Sequence, residues 1–228
     1  MPVKVFYHGH SNVEIHSGNY RIQLDPFYTS NPIADMKADA VNPTHILLSH
    51  AHFDHAEDVE AVAKRTGAIL ASNYEITTYY EKRGVKKTVG MNHGGGVNFD
   101  FGRATYTVAF HTSSFADGTY GGAPGGWMIE TGGKTIYFAG DTALFGDMKL
   151  LGELWAIDLA FLPIGDMFTM GPAHALKAAQ LLRSKAVVPI HHSTWPPIKQ
   201  DAAKFAADLA ALGIQGHPLT PGQSLTLA

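Results

Sequence analysis

Short runs of aliphatic, β-branched and aromatic residues recur along the chain, each bounded by turn-forming residues. In the first half they predict β-strands at Val3–Tyr7, Tyr20–Leu24 and residues 46–48. Two segments with apolar residues at helical spacing follow, at residues 57–65 and at Tyr74–Lys82. Each segment ends shortly before a glycine, where a helix C-cap is expected. The first half therefore predicts a sheet followed by two helices.

The second half repeats this order. Residues 97–138 are rich in glycine, threonine and β-branched residues, and Gly-Gly pairs begin at Gly121 and Gly132, as in hairpins of a second sheet. Residues 127–130 and 135–138 form the clearest hairpin. Later segments predict strands at residues 158–162, Ala186–Ile190 and Ser224–Leu227, and helices at residues 173–183 and 200–212. This order predicts an α/β protein with two packed sheets and helices outside, in a single domain over residues 1–228.

Composition excludes several classes of site. The 228 residues carry a formal charge of -3 and no run of five like charges, which disfavours an extended surface for nucleic acid or an anionic membrane. Cysteine is absent, so disulfides, thiolate nucleophiles and cysteine-bound metals are excluded. Any metal must therefore take nitrogen and oxygen ligands.

Neither a leader peptide nor a membrane span is visible in the sequence. The start of the chain runs into the polar residues His8, Gly9, His10 and Ser11, and no apolar window approaches the length of a span. We therefore predict a cytoplasmic protein whose partner is a small-molecule substrate, with neither nucleic acid nor membrane as a partner. Whether the chain forms a homo-oligomer is left open.

Four potential metal ligands fall within six residues, directly after a predicted strand: His50, His52, Asp54 and His55. A buried imidazole needs a hydrogen-bond partner, and a buried carboxylate is costly unless it is paired or bound to metal. If these four residues had only a structural role, each would therefore need its own hydrogen-bond or ion-pair partner within a single turn. Alternate residues of an extended segment point the same way, so His50 and His52 can bind one metal while Asp54 and His55 reach a second.

This run, His50-x-His52-x-Asp54-His55, resembles the signature of the metallo-β-lactamase superfamily. Three further residues follow in the expected order: His111 at the end of predicted strand 106–110, Asp141 in Ala139-Gly140-Asp141-Thr142, and His191 after predicted strand 187–190. The resemblance implies the αββα sandwich, with two mixed β-sheets packed face to face and helices outside. It also implies a hydrolase.

The resemblance further implies two divalent metal ions, with zinc favoured over manganese or nickel. The first would take His50, His52 and His111, the second would take Asp54, His55 and His191, and Asp141 would bridge both. A hydroxide bridging the metals would then attack the substrate. Asp54 is the candidate catalytic residue, because it lies beside the ligands and can steer the nucleophile and carry its proton to the leaving group.

Other motifs are similar to those of a branch of bacterial metal-dependent hydrolases related to the ascorbate-6-phosphate lactonases. They are Gly9-His10-Ser11, Leu24-Asp25-Pro26, Asn31-Pro32, His111-Thr112-Ser113, and Pro189-Ile190-His191 with Thr194-Trp195-Pro196. That branch often has tyrosine after the last ligand, where this chain has His192. The likeness implies an ester, lactone or phosphorylated metabolite as substrate.

Several residues are expected to surround the ligands. Asp25 is expected to accept a hydrogen bond from a ligand histidine and fix its tautomer. His10 is expected near the mouth of the site, where it either contacts substrate or makes a structural hydrogen bond. Trp195 and His192 are the candidates for substrate contact, whereas the roles of His93 and His174 are open. Specificity is expected from the loops at residues 28–35, 114–126 and 163–172.

Other functions use related sites. A nuclease or phosphodiesterase of the same superfamily is one alternative, although the mildly acidic composition does not favour it. A persulfide dioxygenase with one iron is another, and metal stoichiometry distinguishes it. Diiron flavoproteins usually have an acidic residue where this chain has His52, and the absent secretion signal disfavours a true β-lactamase. A non-catalytic metal-binding module is the last alternative.

Overall fold

The computed structural model describes residues 2–227, which form two seven-stranded sheets with helices on their outer faces. The strands of the first sheet, in chain order, are β1 (Val3–Tyr7), β2 (Val13–Ser17), β3 (Tyr20–Leu24), β4 (His45–Leu47), β5 (Ile69–Asn73), β6 (Thr88–Met91) and, at the end of the chain, β14 (Ser224–Leu227). The strands of the second sheet are β7 (Gly96–Phe99), β8 (Gly102–Val108), β9 (Gly125–Thr131), β10 (Lys134–Phe138), β11 (Leu159–Pro163), β12 (Ala186–Ile190) and β13 (Gln215–Gly216).

The helices fall into two groups. Those of the first half are α1 (Phe53–Ala56), α2 (Val59–Thr66) and α3 (Tyr74–Lys82), and those of the second half are α4 (Met148–Leu154), α5 (Pro172–Leu182) and α6 (Ala202–Ala211). A short 3₁₀ turn covers Pro196–Ile198. None of the helices in the described part of the chain has the length and hydropathy needed to span a bilayer.

Both sheets are mixed. The first has the order β14-β1-β2-β3-β4-β5-β6, antiparallel up to β3 and parallel from β3 onward. The second has the order β13-β12-β11-β10-β9-β8-β7, parallel from β10 to β13 and antiparallel from β7 to β10. The predicted fold class, two mixed sheets with helices outside, is confirmed.

Three hydrophobic layers hold this arrangement together. The central layer joins the inner faces of the two sheets, with buried side chains such as Ile15 and Leu24 from the first and Trp127 and Phe161 from the second. A second layer packs α4, α5 and α6 on the second sheet, and a third packs α2 and α3 on the first. Strands β11 and β12, which are covered on both faces, are apolar and buried at every position.

The predicted elements mostly match the structure, with shifts at their ends. Strands Val3–Tyr7, Tyr20–Leu24, Ala186–Ile190 and Ser224–Leu227 and helix Tyr74–Lys82 are confirmed. The strand expected at residues 106–110 ends at Val108, and the helix expected at 57–65 begins at Val59, after the separate turn α1. Gly67 caps α2 in the left-handed conformation, as expected. The pattern missed β2, β5, β6, β13 and α4.

Candidate metal centre

The site lies where six strands end. In the first sheet β1, β3 and β4 run in one direction, and in the second sheet β8, β10 and β12 do the same. Ligands in sheets of this kind bind beyond the carboxyl ends of such strands. Each of the six strands is followed within a few residues by a candidate residue: His10, Asp25, His50, His111, Asp141 and His191, in that order.

Sharp backbone turns direct these side chains into the site. His10, Asp25 and His191 adopt left-handed backbone conformations, with φ of 59°, 43° and 51°. Residues other than glycine rarely adopt this conformation, and it concentrates at functional sites where the surrounding structure enforces it. Gly140 adopts a φ of 60° directly before Asp141. The strand ends therefore impose the turns that bring the candidate ligands together.

His50, His52 and His111 form the first group of candidate ligands. One ring nitrogen of each lies within 4.8 Å of those of the other two. Nε2 of His50 is 3.1 Å from Nδ1 of His52, and the ring of His111 stands nearly perpendicular to that of His50. His50 is fully buried, while His52 and His111 border a cavity. The structure thus assembles the three residues expected to hold the first metal.

Asp54, His55 and His191 form the second group, together with His10. Oδ2 of Asp54 lies 3.8 Å from Nε2 of His55 and 3.7 Å from Nε2 of His191. Asp54 and His55 belong to α1, so their side chains leave the chain one after the other at the start of a helical turn. This turn separates them from His50 and His52, which precede it in extended backbone.

Asp141 lies between the two groups. Its Oδ2 is 3.0 Å from Nε2 of His191 and 3.3 Å from Nε2 of His55, both in the second group. The same oxygen is 3.6 Å from Nε2 of His111 and 4.0 Å from Nε2 of His50, both in the first. Burial raises the pKa of Asp141, but His191 and His55 outweigh it and hold that pKa well below its usual range. One carboxylate oxygen therefore faces both groups.

Asp25 supports the site from behind. Its Oδ2 lies 2.7 Å from Nδ1 of His55, and its Oδ1 accepts a hydrogen bond from the backbone N–H of Ser49 at 2.7 Å. The Ser49 hydroxyl also donates to Oδ2 and lies 2.9 Å from Nδ1 of His50. A carboxylate on the far ring nitrogen orients a ligand histidine. This is the contact expected of Asp25, and Ser49 is a partner that the sequence did not indicate.

His10 is not at the mouth of the site, and it makes structural hydrogen bonds, which were the other role expected of it. It is fully buried, with Nε2 3.0 Å from Oδ2 of Asp54 and Nδ1 2.8 Å from Oγ1 of Thr194. Burial, together with the neighbouring His191, lowers the pKa of His10 to about 3. The turn at Gly9 and His10 folds the ring inward, so that it supports Asp54 instead of meeting substrate.

The charges around the site divide its histidines. Burial lowers the pKa of His55, but the carboxylates of Asp141 and Asp54 outweigh it and raise that pKa well above its usual range. Burial also lowers the pKa of His191, but the carboxylate of Asp141 outweighs this effect and raises that pKa to about 9. Burial and the neighbouring His55 hold the pKa of His50 well below its usual range. The carboxylates thus attract positive charge to this part of the site.

The donor set fits divalent metal ions. Imidazole nitrogens and carboxylate oxygens suit zinc, manganese, iron and nickel. Nε2 of His55 and Oδ1 of Asp141 are buried and have no hydrogen-bond partner among the described residues. Such buried polar atoms are rare in folded proteins unless another ligand satisfies them. The cluster is therefore able to bind metal, because it offers suitable ligand atoms and because two of its buried polar atoms lack hydrogen-bond partners.

A cavity of about 710 Å³ opens over the candidate ligands. Trp195, one candidate for substrate contact, lines it, whereas His192, the other candidate, does not. The backbone turns at His191, with a φ of 51°, and Nδ1 of His192 instead lies 3.1 Å from Oγ of Ser193. The sequence also gave no indication that Phe53, on α1 between His52 and Asp54, would line the cavity.

Two of the three predicted specificity loops reach the cavity. Residues 114–126 contribute Ser114, Phe115 and Ala116, and residues 163–172 contribute Phe168. Residues 28–35 do not line it, and Tyr28 and Thr29 border a different cavity beside α2. The reason is that the Asp58 carboxylate accepts hydrogen bonds from the backbone of residues 28 and 29 and holds this loop against α2.

His93 and His174 stay outside the site. Nε2 of His93 lies 2.9 Å from the carbonyl oxygen of Pro124, and its ring stacks on Tyr106. His174 is an exposed residue of α5. Neither belongs to a group of candidate metal ligands among the described residues.

Comparison with known proteins places this fold and site in a family. A family model described as a beta-lactamase superfamily domain matches residues 18–192. The chain is 52% identical over 225 residues to a UPF0173 metal-dependent hydrolase of Thermus thermophilus, covering 99% of each protein. It is also 52% identical over 221 residues to one of Exiguobacterium, covering 96% of this chain and 98% of that protein.

A solved structure agrees with these relatives. Igni18, a metallo hydrolase of the archaeon Ignicoccus hospitalis, matches with a TM-score of 0.92 and 34% identity, over 100% of this chain and 99% of that one. The chain therefore belongs to the UPF0173 metal-dependent hydrolases of the metallo-β-lactamase superfamily. The predicted superfamily is confirmed, while the likeness to ascorbate-6-phosphate lactonases stays a prediction.

Proposed function

We propose that this protein binds two divalent metal ions and uses them to hydrolyse a small ester, lactone or phosphorylated metabolite. One observation carries the proposal: Oδ2 of Asp141 faces Nε2 of His191 and His55 on one side and of His111 and His50 on the other. Its distances from these four nitrogens, 3.0 to 4.0 Å, suit atoms that share an ion. Metal–ligand bonds of about 2.0–2.2 Å in tetrahedral geometry place neighbouring ligand atoms about 3.3 Å apart. Ligand sets that share a bridging carboxylate are suited to two-metal hydrolysis.

In this proposal His50, His52 and His111 hold one ion, and Asp54, His55 and His191 hold the other, with zinc favoured over manganese or nickel. When bound, the ions would supply a nucleophile by lowering the pKa of water to about 7, and would polarise the oxygen of the scissile group. Asp25 keeps the Nε2 atom of His55 directed at the site through its 2.7 Å contact with Nδ1.

Asp54 is the group we assign to proton transfer. Its side chain borders the cavity, so it is within reach of a substrate's leaving oxygen. His10, whose Nε2 lies 3.0 Å from Oδ2 of Asp54, fixes the orientation of that carboxylate. Thr194 in turn fixes the His10 ring at Nδ1. This chain of contacts holds the proton acceptor in place from the buried side.

The test is metal analysis of the protein purified without added metal, paired with hydrolysis assays before and after chelation. We expect about two zinc, manganese or nickel ions per chain and turnover of a generic ester or lactone that chelation abolishes and metal restores. One iron per chain without hydrolysis would contradict the proposal and favour a persulfide dioxygenase. Cleavage of phosphodiesters alone would favour a nuclease.

The remaining expectations concern the protein's surroundings. We propose a small-molecule partner, and the described residues that line the cavity include no lysine or arginine for a nucleic-acid backbone. The cytoplasmic location remains a prediction.

A further inference from the structure

The walls of the cavity above the candidate ligands are largely aromatic. Phe53, Phe115, Phe168 and Trp195 all line it, next to Ala116 and the hydroxyl-bearing Thr112 and Ser114. Phe53 and Phe168 are 50% and 54% exposed. Single exposed apolar residues are ordinary, but a contiguous apolar surface that borders polar groups marks a binding site. The volume of about 710 Å³ suits a small organic molecule.

One wall is a preassembled aromatic cluster. The ring of Phe53 meets buried Phe27 edge-on, with centroids 5.8 Å apart, and lies 6.2 Å from the ring of Trp195. Trp195 also packs edge-on against the ring of His10, at 5.0 Å. Aromatic pairs at these separations stabilise one another. His10, which also contacts Asp54, therefore helps to hold this wall in place.

The cavity lining also includes Phe168, which a strained turn presents to the cavity. Asp166 and Met167 adopt left-handed φ values of 64° and 22°. The turn is closed by hydrogen bonds from the backbone N–H of Thr169 to the carbonyl of Asp166, and from that of Met170 to the carbonyl of Thr142. Strain of this kind persists where the surrounding structure enforces it. Here it leaves a large apolar side chain half in solvent beside the site.

Away from the candidate metal ligands, the described residues that line the cavity carry no charged side chain. Asp54 and Asp141 are its carboxylates, and no lysine or arginine lines it among the described residues. A phosphate carried at a distance from the reacting bond would need cationic or clustered N–H donors to replace its water. The walls instead offer apolar surface, which favours an uncharged group.

We propose that the substrate is an uncharged ester or lactone whose acyl part is an alkyl or aryl group that packs against Phe53, Trp195 and Phe168. This inference rests on the proposed hydrolase function and narrows it, because it excludes substrates that carry a phosphate away from the scissile bond. Hydrolysis adds the oxygen of one water to the carbonyl carbon and breaks the bond from that carbon to the alcohol oxygen. The alcohol takes one proton, and the acid releases the other.

The test uses the full-length, metal-loaded protein and methyl esters, whose small alcohol leaves the walls to the acyl chain. We expect kcat/KM to rise about two- to fourfold per added methylene from acetate through butanoate to hexanoate. A matched hexanoate ester that ends in phosphate should react at least about tenfold less efficiently than methyl hexanoate. Equal rates along the series, or preference for the phosphate, would overturn the inference.

Substitution of Phe168 tests whether this residue contacts the acyl chain. Phe168→Ala should lower the ratio of hexanoate to acetate kcat/KM about fivefold, and Phe168→Leu should restore most of it. Because the side chain is 54% exposed, its removal spares the buried core. Tyr74→Ala, which removes an aromatic side chain 61% exposed on α3, should leave the ratio unchanged. An unchanged ratio in Phe168→Ala would contradict the contact between Phe168 and the acyl chain.

A binding measurement separates this inference from the proposed function. Calorimetry with the uncharged ketone 4-phenylbutan-2-one and with phenyl phosphate needs neither metal nor turnover. The metal-free full-length chain should bind the ketone more tightly, and Phe168→Ala should weaken that binding about fivefold. Absence of any hydrolysis of esters, lactones and phosphate esters by protein holding two metals would overturn the proposed function. Hydrolysis with no preference for chain length, or tighter binding of phenyl phosphate, would overturn this inference alone.

Discussion

At the scale of single residues, the chemistry of the site depends on side chains one step behind the candidate ligands. Asp25 is fully buried, and burial raises its pKa although His55 and Ser49 oppose that shift. Its two oxygens contact Nδ1 of His55 and both the N–H and the hydroxyl of Ser49. A buried carboxylate with three partners has a defined orientation, and it transmits that orientation to His55.

Replacing Asp25 with asparagine should therefore weaken metal binding without removing a ligand. The amide keeps the size of the side chain but removes the charge that orients His55 and increases its basicity. Loss of such a partner typically reduces metal affinity about 10- to 100-fold. Competition with a chromophoric chelator measures this affinity, and Asp147→Asn, at an exposed position, is the matched control. Unchanged affinity in folded Asp25→Asn would contradict the role we give to Asp25.

Sequence reasoning reached the candidate residues unevenly. The run from His50 to His55 stood out because four potential ligands so close in sequence can be recognised without knowledge of the fold. His111, Asp141 and His191 could be found only through the resemblance, because they are far apart in the sequence and meet at strand ends. The candidate His192 does not line the cavity, because φ at His191 decides which of the two adjacent histidines faces it. Tertiary contacts set that angle.

At the scale of elements, the strand ends determine how close the two sheets come at the site. Gly140 follows β10 and precedes Asp141 with a φ of 60°. A Cβ at this position would lie 2.8 Å from the carbonyl oxygen of Gly125 and 2.9 Å from Cβ of Ser49. Strand β10, strand β9 and the segment after β4 therefore meet at a point where only glycine fits.

Gly140→Ala should both destabilise the fold and displace Asp141. We expect a loss of about 2–4 kcal/mol in the free energy of unfolding, from the left-handed backbone and the backbone contact together. Gly133→Ala is the control, because Gly133 has a φ of 76° but no atom within 4 Å of its Cβ position. It should cost only about 1 kcal/mol. Urea denaturation measures both, and equal losses would show that the contact at Gly140 carries no weight.

Elements whose apolar residues recur at the spacing of a strand or a helix were predicted well. Elements without that spacing were missed. The four strands and the helix predicted with correct ends are dominated by apolar positions at the expected spacing. Helix α4 was missed because Gly152 lies within it, and glycine disfavours helix. A Cβ there would lie 2.5 Å from the carbonyl oxygen of Leu181, so close packing on α5 requires the glycine. Sequence alone does not show this contact.

At the scale of the molecule, the two halves of the chain contribute the two sides of one site. His50, His52, Asp54 and His55 follow β4 of the first sheet, whereas His111, Asp141 and His191 follow strands of the second. The order of elements predicted this architecture, since sheet and helices occur twice in the same sequence. Which loops would cover the site could not be predicted, because the position of each depends on contacts such as that of Asp58 with residues 28 and 29.

Because ligands come from both sheets, bound metal should tie the two halves together. An ion that binds only the folded chain stabilises it by about 2.7 kcal/mol when its free concentration is 100 times its dissociation constant. For a protein of 228 residues, each kcal/mol corresponds to about 2–4 °C in Tm. Chelation of the metal-loaded protein should therefore lower Tm by at least about 5 °C, as measured by scanning calorimetry.

The Asp141→Asn variant tests whether this stabilisation passes through the carboxylate that faces both groups. Oδ2 of Asp141 lies 3.0 Å from Nε2 of His191 and 3.6 Å from Nε2 of His111, and these histidines belong to different groups of ligands. Without its charge, metal should bind weakly at both, so chelation should shift the Tm of the variant by less than about 2 °C. A shift as large as that of the unmodified chain would mean that the two groups bind metal independently of Asp141. The outcome thus decides between one shared centre and two separate sites.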